Sequence, residues 1–123
     1  MGRRGRLHHQ DAARQLSAAL DRTLGALADP VRRRAIELLG QQPRSAGELA
    51  RELGLAPPAM SRHLKALKEG GLVEDGHPAF DARVRIYSLK DGATAELRQW
   101  LAETEALWTR QLAAFKAHVE GDA

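Results

Sequence analysis

In the stretch Met60-Ser-Arg-His-Leu-Lys-Ala-Leu-Lys68, polar and apolar residues sort at helical intervals. Met60, Leu64 and Leu67 recur at the three-and-four spacing of a buried stripe, leaving Ser61, Arg62, Lys65 and Lys68 on the outer face. A guanidinium fork, a hydroxyl and two ammonium groups on one face form a donor set suited to a polyanion. The fork in addition matches the paired acceptors on the edge of a guanine. Ser61, Arg62 and Lys65 are therefore candidate contacts to DNA, and Ala59 a candidate apolar contact to a thymine methyl group.

Such a face works only if its helix is held with that side outward. Upstream, Leu49, Ala50 and Leu53 give a first helix its own apolar stripe. Ser45 stands as its cap, with Glu48 three residues on completing a capping box. Gly54 ends this helix where a left-handed residue is wanted, and Leu55 anchors the turn. Pro57 and Pro58 fit only a loop or the first turn of a new helix. That second helix is expected from about Pro57 to Glu69, stopping at Gly70-Gly71. Two short helices joined by a tight turn make a helix-turn-helix, whose second helix reads the DNA major groove. Ala56-Pro-Pro-Ala59 puts no polar side chain at the start of the reader. Base contacts then rest on few residues, Ala59 or Pro58 offers the apolar contact, and DNA shape gains weight.

Beyond the reader, Leu72-Val-Glu74 starts a strand, Asp75-Gly-His-Pro78 turns it, and Arg83-Val-Arg-Ile-Tyr-Ser-Leu89 alternates as its return. Arg83 and Arg85 fall on one face of this hairpin, within reach of an adjacent minor groove or its phosphates. His63 lacks a second metal-type residue at a suitable spacing and reads as a packed or phosphate-bonding imidazole. His8, His9 and His118 converge if the first and last helices pack across a dimer. With Asp11 or Glu120 they would offer the imidazoles and carboxylates that suit nickel, cobalt or zinc. No cofactor is required, and a divalent metal is a candidate effector. Catalysis has no foothold: there is no Ser-His-Asp spacing, phosphate-cradling glycine loop or distinctive carboxylate pair.

The chain has 123 residues, 43% of them apolar and no cysteine, which suggests one modest domain without disulfides or thiolate sites. Its net charge of +3 is unevenly spread. Residues 1–40 carry eight basic and four acidic side chains, residues 41–90 eight and six, and residues 91–123 three and six. A basic front and an acidic tail suit a polyanion that meets part of the molecule. No apolar run is long enough to span a membrane, and the arginine-bearing N-terminus lacks an apolar signal core, so a cytoplasmic protein is expected.

In chain order, residues 1–10 are expected to form a flexible Gly/Arg-rich arm, and residues 11–120 one folded domain. Leu16, Leu20, Leu24 and Leu27 predict a first helix over 11–28. Asp29-Pro30 starts a second, to about Leu39, burying Val31, Ala35, Ile36 and Leu39. A last helix over 93–118 carries Leu97, Leu101, Leu107, Trp108, Leu112, Phe115 and Val119 at intervals of three and four. Its length of about 38 Å exceeds what a small domain covers. Trp100, Trp108 and Phe115 belong to the core and to an interface, and a symmetric dimer through the first and last helices follows.

Leu27-Ala-Asp-Pro-Val-Arg-Arg-Arg-Ala-Ile-Glu-Leu-Leu39 and Ser61-Arg-His-Leu-Lys-Ala-Leu-Lys-Glu-Gly-Gly-Leu-Val73 resemble the two signatures of ArsR-type transcriptional regulators. The wing Arg83–Leu89 is similar too, and the likeness runs over about residues 12–120. It implies a winged helix-turn-helix dimer, usually a repressor, joined through its first and last helices. Many members of the family bind a metal that releases DNA. The thiolate motif is missing here, where the chain reads Ser45-Ala-Gly-Glu-Leu-Ala50. Of the last-helix site, Glu105-Ala-Leu107 and His118-Val-Glu-Gly121 keep one imidazole. Trp100-Leu101 and Glu105-Ala-Leu-Trp108 look most like the non-thiol branch.

The expected fold is mainly α with a small β-hairpin: five helices and a two-stranded wing. The expected function is a sequence-specific DNA-binding transcriptional regulator, a homodimeric repressor of an inverted-repeat operator. A different class, a protein-interaction module docking a partner protein through the last helix, is the alternative, as is a nickel- or zinc-responsive regulator using the terminal histidines.

Overall fold

The computed structural model describes residues 18–78 and 80–121, and the chain divides into two compact units, Met1–Ala93 and Thr94–Ala123. In the first unit, α1 is described over residues 18–27 and is followed by α2 (Pro30–Gln41), β1 (Arg44–Ser45), α3 (Ala46–Leu53), α4 (Pro57–Glu69), β2 (Val73–Gly76) and β3 (Ile86–Leu89). The second unit is one helix, α5 (Ala95–Gly121). Among the described residues, no helix is long and apolar enough to cross a membrane.

A helix start leaves N–H groups without partners, and this chain answers that in two ways. Asp29 caps α2: its Oδ1 accepts from the backbone N–H groups of Val31 at 2.8 Å and Arg32 at 3.2 Å. Ser45 and Glu48 cap α3 reciprocally, Ser45 Oγ accepting at 3.2 Å and Glu48 Oε1 at 3.3 Å. Ala56 supplies α4 with no side-chain cap, but Pro57 and Pro58 occupy the first turn and bring no N–H to satisfy.

Both helices of the helix-turn-helix end in the same closure. At the end of α3, the N–H of Leu55 donates to Ala50 O at 2.9 Å and that of Gly54 to Arg51 O at 3.3 Å. At the end of α4, the N–H of Leu72 donates to Leu67 O and that of Gly71 to Lys68 O, both at 3.0 Å. These are Schellman motifs, and Gly54 and Gly71 hold the required left-handed backbone with φ of 66° and 73°. In each, the next residue is a leucine that turns back onto the core.

The core joins Ala26 of α1, Ala35, Leu38 and Leu39 of α2, Leu49 and Ala50 of α3, and Met60, Leu64 and Leu67 of α4 with Leu72 and Val73. The stripes expected for α3 and α4 are the ones buried, apart from Leu53, which is half-buried against the core. Two others shift. In α2 Leu38 joins Ala35 and Leu39 in the buried face, while Val31 and Ile36, both expected there, are half-buried. In α1 the buried residues are Thr23 and Ala26, while Leu24 lies outside and Leu16 falls beyond the described residues. The cause is a close helix approach that has no room for leucine: a Cβ on Gly70 would lie 2.9 Å from Ala26 Cβ and 3.2 Å from Arg22 O. Thr23 Oγ1 donates to Gly70 O at 2.9 Å across the same contact.

The sheet has three antiparallel strands in the order β1-β3-β2, where a two-stranded hairpin was expected. Arg44 pairs with Tyr87 and Ser45 with Ile86, so the residues before α3 close the edge of the wing. Buried Arg44 fastens that corner, donating from Nε to Leu38 O at 3.3 Å and from Nη2 to Gln41 Oε1 at 2.9 Å. β2 runs through Asp75-Gly76, which the sequence had suggested for the turn, and β3 begins only at Ile86.

Contact at Gly70 is steric, since its φ of −76° suits any residue. Gly70→Ala is therefore expected to destabilise the fold by about 1–3 kcal/mol. Gly25→Ala, with open space around the added methyl, should be neutral or stabilising by up to about 1 kcal/mol. Urea unfolding of the two variants checks the contrast.

Candidate nucleic-acid interface

α4 presents Ser61, Arg62 and Lys65 to solvent, with Met60, Leu64 and Leu67 fully buried behind them. Ala59, in the first turn, is half-buried. Among the described residues no carboxylate pairs with Arg62 or Lys65. Their charges stand unneutralised on a rigid helix, which is what reading a polyanion requires.

Several other cations of this unit are engaged within the fold, though Arg51 on α3, like Arg62 and Lys65, makes no ion pair among the described residues. Arg32 and Arg33 reach back to the end of α1, donating to Gly25 O at 3.4 Å and Leu27 O at 2.7 Å. There they supplement the helix end, where Gly25 O also accepts from the Ala28 N–H at 3.3 Å. Arg34 pairs with Glu37 at 3.0 Å, and Arg44 with Glu52 at 3.5 Å. His63 is half-buried, and its Nδ1 accepts from Arg32 Nε at 3.2 Å, tying the reader to α2.

The wing departs from the expected geometry. Arg83 and Arg85 precede β3 and lie in the loop, so strand alternation does not place them on one face. Asp81 organises the tip, accepting from the Arg83 backbone N–H at 2.9 Å, with Arg83 Nε 3.4 Å from the same oxygen. Arg85 Nε lies 3.2 Å from Asp75 Oδ2. Asp75 Oδ1 holds Lys68 Nζ at 2.6 Å, so one carboxylate joins the reader to the base of the wing. Phe80, 91% exposed at the tip, was not singled out, since a lone aromatic in a loop leaves no periodic signal.

Two carboxyls are displaced from their ordinary range. The hydrogen bond from Lys68, with the charges of Lys68 and Arg85, holds Asp75 below its usual value against an opposing desolvation. For Asp29, desolvation pushes upward, but the backbone N–H groups of Arg32 and Val31 and the charges of His63 and Arg32 outweigh it and lower the value.

The metal candidates do not meet among the described residues. His8 and His9 lie outside them, and His118 is in the last turn of α5. No group of three His, Asp or Glu side chains that could hold an ion occurs among the described residues. α5 carries its own feature: Trp100, Leu101, Leu107, Trp108, Leu112, Phe115 and Val119 are exposed, and none of its residues is buried.

A helix-turn-helix with an unneutralised reader face, followed by a small antiparallel wing, is a winged DNA-binding module. Known proteins agree. Residues 27–75 match a helix-turn-helix domain family. The HTH-type transcriptional regulator Rv2034 of Mycobacterium tuberculosis is 40% identical over 102 residues, 83% of this chain and 90% of that protein. An ArsR-like transcriptional regulator from Rhodococcus sp. RHA1 superposes with a TM-score of 0.70 at 32% identity, over 81% of this chain and 92% of that one. The homodimeric winged helix-turn-helix DNA-binding domain Mb0332 of Mycobacterium bovis, solved in solution, gives 0.61 at 28% identity, over 79% and 89%. The chain belongs to the ArsR-type winged helix-turn-helix family and is a DNA-binding regulator of transcription.

Lowered carboxyl values set the sign of an acid dependence. Asp29 and Asp75 bind protons less readily when folded, so their contribution is present above the unfolded value of about 3.9 and is lost as pH falls through the folded values. Urea midpoints should drop as pH falls below about 4. Asp29→Asn, which keeps a capping oxygen but does not titrate, should show a shallower drop over the same range.

Proposed function

We propose that this chain is a homodimeric repressor that occupies an inverted-repeat operator in the cytoplasm, with no catalytic activity of its own. The single observation that carries this reading is the exposed face of Ser61, Arg62 and Lys65 on the second helix of the helix-turn-helix, where Arg62 and Lys65 have no carboxylate partner among the described residues. Arg62 reads a guanine through its fork, and Ser61 and Lys65 hold phosphates or base edges. Ala59 and Pro58 offer a thymine methyl group an apolar surface. Arg83, at the exposed tip of the wing, approaches the minor groove beside the reader, whereas Arg85 is held at the base of the wing by Asp75. With so few base contacts, part of the recognition falls to DNA shape.

The apolar stripe of α5 supports the dimer. Large side chains exposed along about 30 Å of helix, from Trp100 to Val119, call for a covering surface, and a second copy of the same helix provides one of matching length. The homodimeric state of the Mycobacterium bovis domain favours the same assembly. Two readers of such a dimer meet half-sites about one helical turn of DNA apart. Trp108→Glu, with a charge in the middle of the stripe, should shift the protein from dimer to monomer in sedimentation equilibrium.

Footprinting on the DNA upstream of the chain's own gene tests the rest. A two-fold-symmetric footprint whose affinity falls steeply with salt is expected. Arg62→Ala should cost about 1–3 kcal/mol at the operator while leaving the thermal unfolding midpoint within error. Operator affinity retained in that variant would falsify the assignment of Arg62 as a reader. Repeating the footprint with nickel or zinc tests whether a metal at His8, His9 and His118 acts as the effector. Capture of a second protein with no protected DNA would instead favour the interaction-module reading.

A further inference from the structure

Asp75 sits where two demands on the same cations meet. The two-residue period of β2 puts it on the face of buried Val73, against α4, and leaves its side chain 13% exposed. Each carboxylate oxygen takes one cation: Oδ1 holds Lys68 Nζ at 2.6 Å, and Oδ2 lies 3.2 Å from Arg85 Nε. Lys68 stands one helical turn beyond Lys65 on the reader, and Arg85 stands at the base of the wing. Both cations are more than half exposed, so pairs of this kind contribute little to stability. Their larger effect is on charge. Without Asp75 the reader and wing would add two mobile cations beside the DNA backbone, and such contacts bind every sequence alike.

We propose that Asp75 is a specificity-determining residue, which holds Lys68 and Arg85 away from indiscriminate phosphate binding and so makes operator affinity depend on Ser61, Arg62 and Lys65. This rests on the DNA-binding reading above. Asp75 itself need not touch DNA: it acts as a positioning residue through the two cations. Suppressing contacts common to all sequences widens the ratio of operator to non-operator affinity, which is what discrimination consists of.

The test is Asp75→Asn, which keeps the size of the side chain and an acceptor but removes the charge. Binding of the full chain to its operator duplex and to a scrambled duplex is titrated from low to moderate salt, with thermal melts to show that the variant folds. For the scrambled duplex, affinity should rise about tenfold at low salt, and the slope of log K against log[salt] should steepen by about 0.9 for each phosphate gained. Operator affinity should rise less, so the ratio shrinks. Asp75→Asn with Lys68→Ala and Arg85→Ala should return the scrambled duplex to wild-type affinity or below. If wild type binds its operator and Asp75→Asn leaves the salt slope and the affinity ratio unchanged, the role assigned to Asp75 is overturned alone. If wild type prefers no DNA, the operator reading falls and takes this inference with it. A variant that melts far below wild type is replaced by Asp75→Ser, judged on the same slope and ratio.

Discussion

Burial of one stripe on α4 is the constraint on which the rest depends. Met60, Leu64 and Leu67 are each almost fully withdrawn from solvent, and a helix buried along one side has no freedom to rotate about its axis. That orientation sends Ser61, Arg62 and Lys65 outward. Turning the helix to expose Leu64 instead would forfeit about 2 kcal/mol for that side chain alone. The two glycine closures complete the placement. Gly54 sets where the chain turns into α4, and Gly71 sets where it leaves for the sheet. The same packing that makes the fold also aims the reader.

Charge is then sorted by partner. The molecule carries 19 basic and 16 acidic side chains, a balance too even to reveal a nucleic-acid partner on its own. Within the first unit, Arg32 and Arg33 answer the end of α1, Arg44 ties the corner below the sheet, and Arg85 and Lys68 share Asp75. Each of these lowers a local cost of burial or of helix termination. Arg62 and Lys65 have no such duty. Their availability comes from what they do not contact, which net charge cannot report.

This explains which parts were legible in the sequence. Helix starts, glycine closures and the stripes of α3 and α4 depend on neighbours within one turn, so local order is enough to read them. Legibility failed where a distant element decided the outcome. Thr23 and Ala26 displaced Leu24 because Gly70, 47 residues from Thr23, brings two backbones together. A two-residue strand is too short for alternation, so Arg44-Ser45 reads as loop until Tyr87 and Ile86 pair with it. In the wing, Arg83-Val-Arg85 alternates as a strand would, yet Asp81 and Asp75 draw both arginines into the loop geometry. Ser61, Arg62 and Lys65 were legible as a set because one helix face holds all three. The pairing of Lys68 with Arg85 through Asp75 was not, because it joins three elements.

α5 shows the opposite limit. Its periodicity is plain in the sequence, and the helix forms with nearly the expected bounds, yet Trp108 and Phe115 are about two-thirds exposed. Apolar periodicity says that a face will be covered and is silent on what covers it. For the reader the covering surface is this chain's own core, so sequence and structure close on each other within one molecule. For α5 the stripe is exposed among the described residues, and the periodicity that located the helix does not name its partner. The same apolar signal thus fixes an orientation in α4, where the chain supplies the facing core, and only a periodicity in α5.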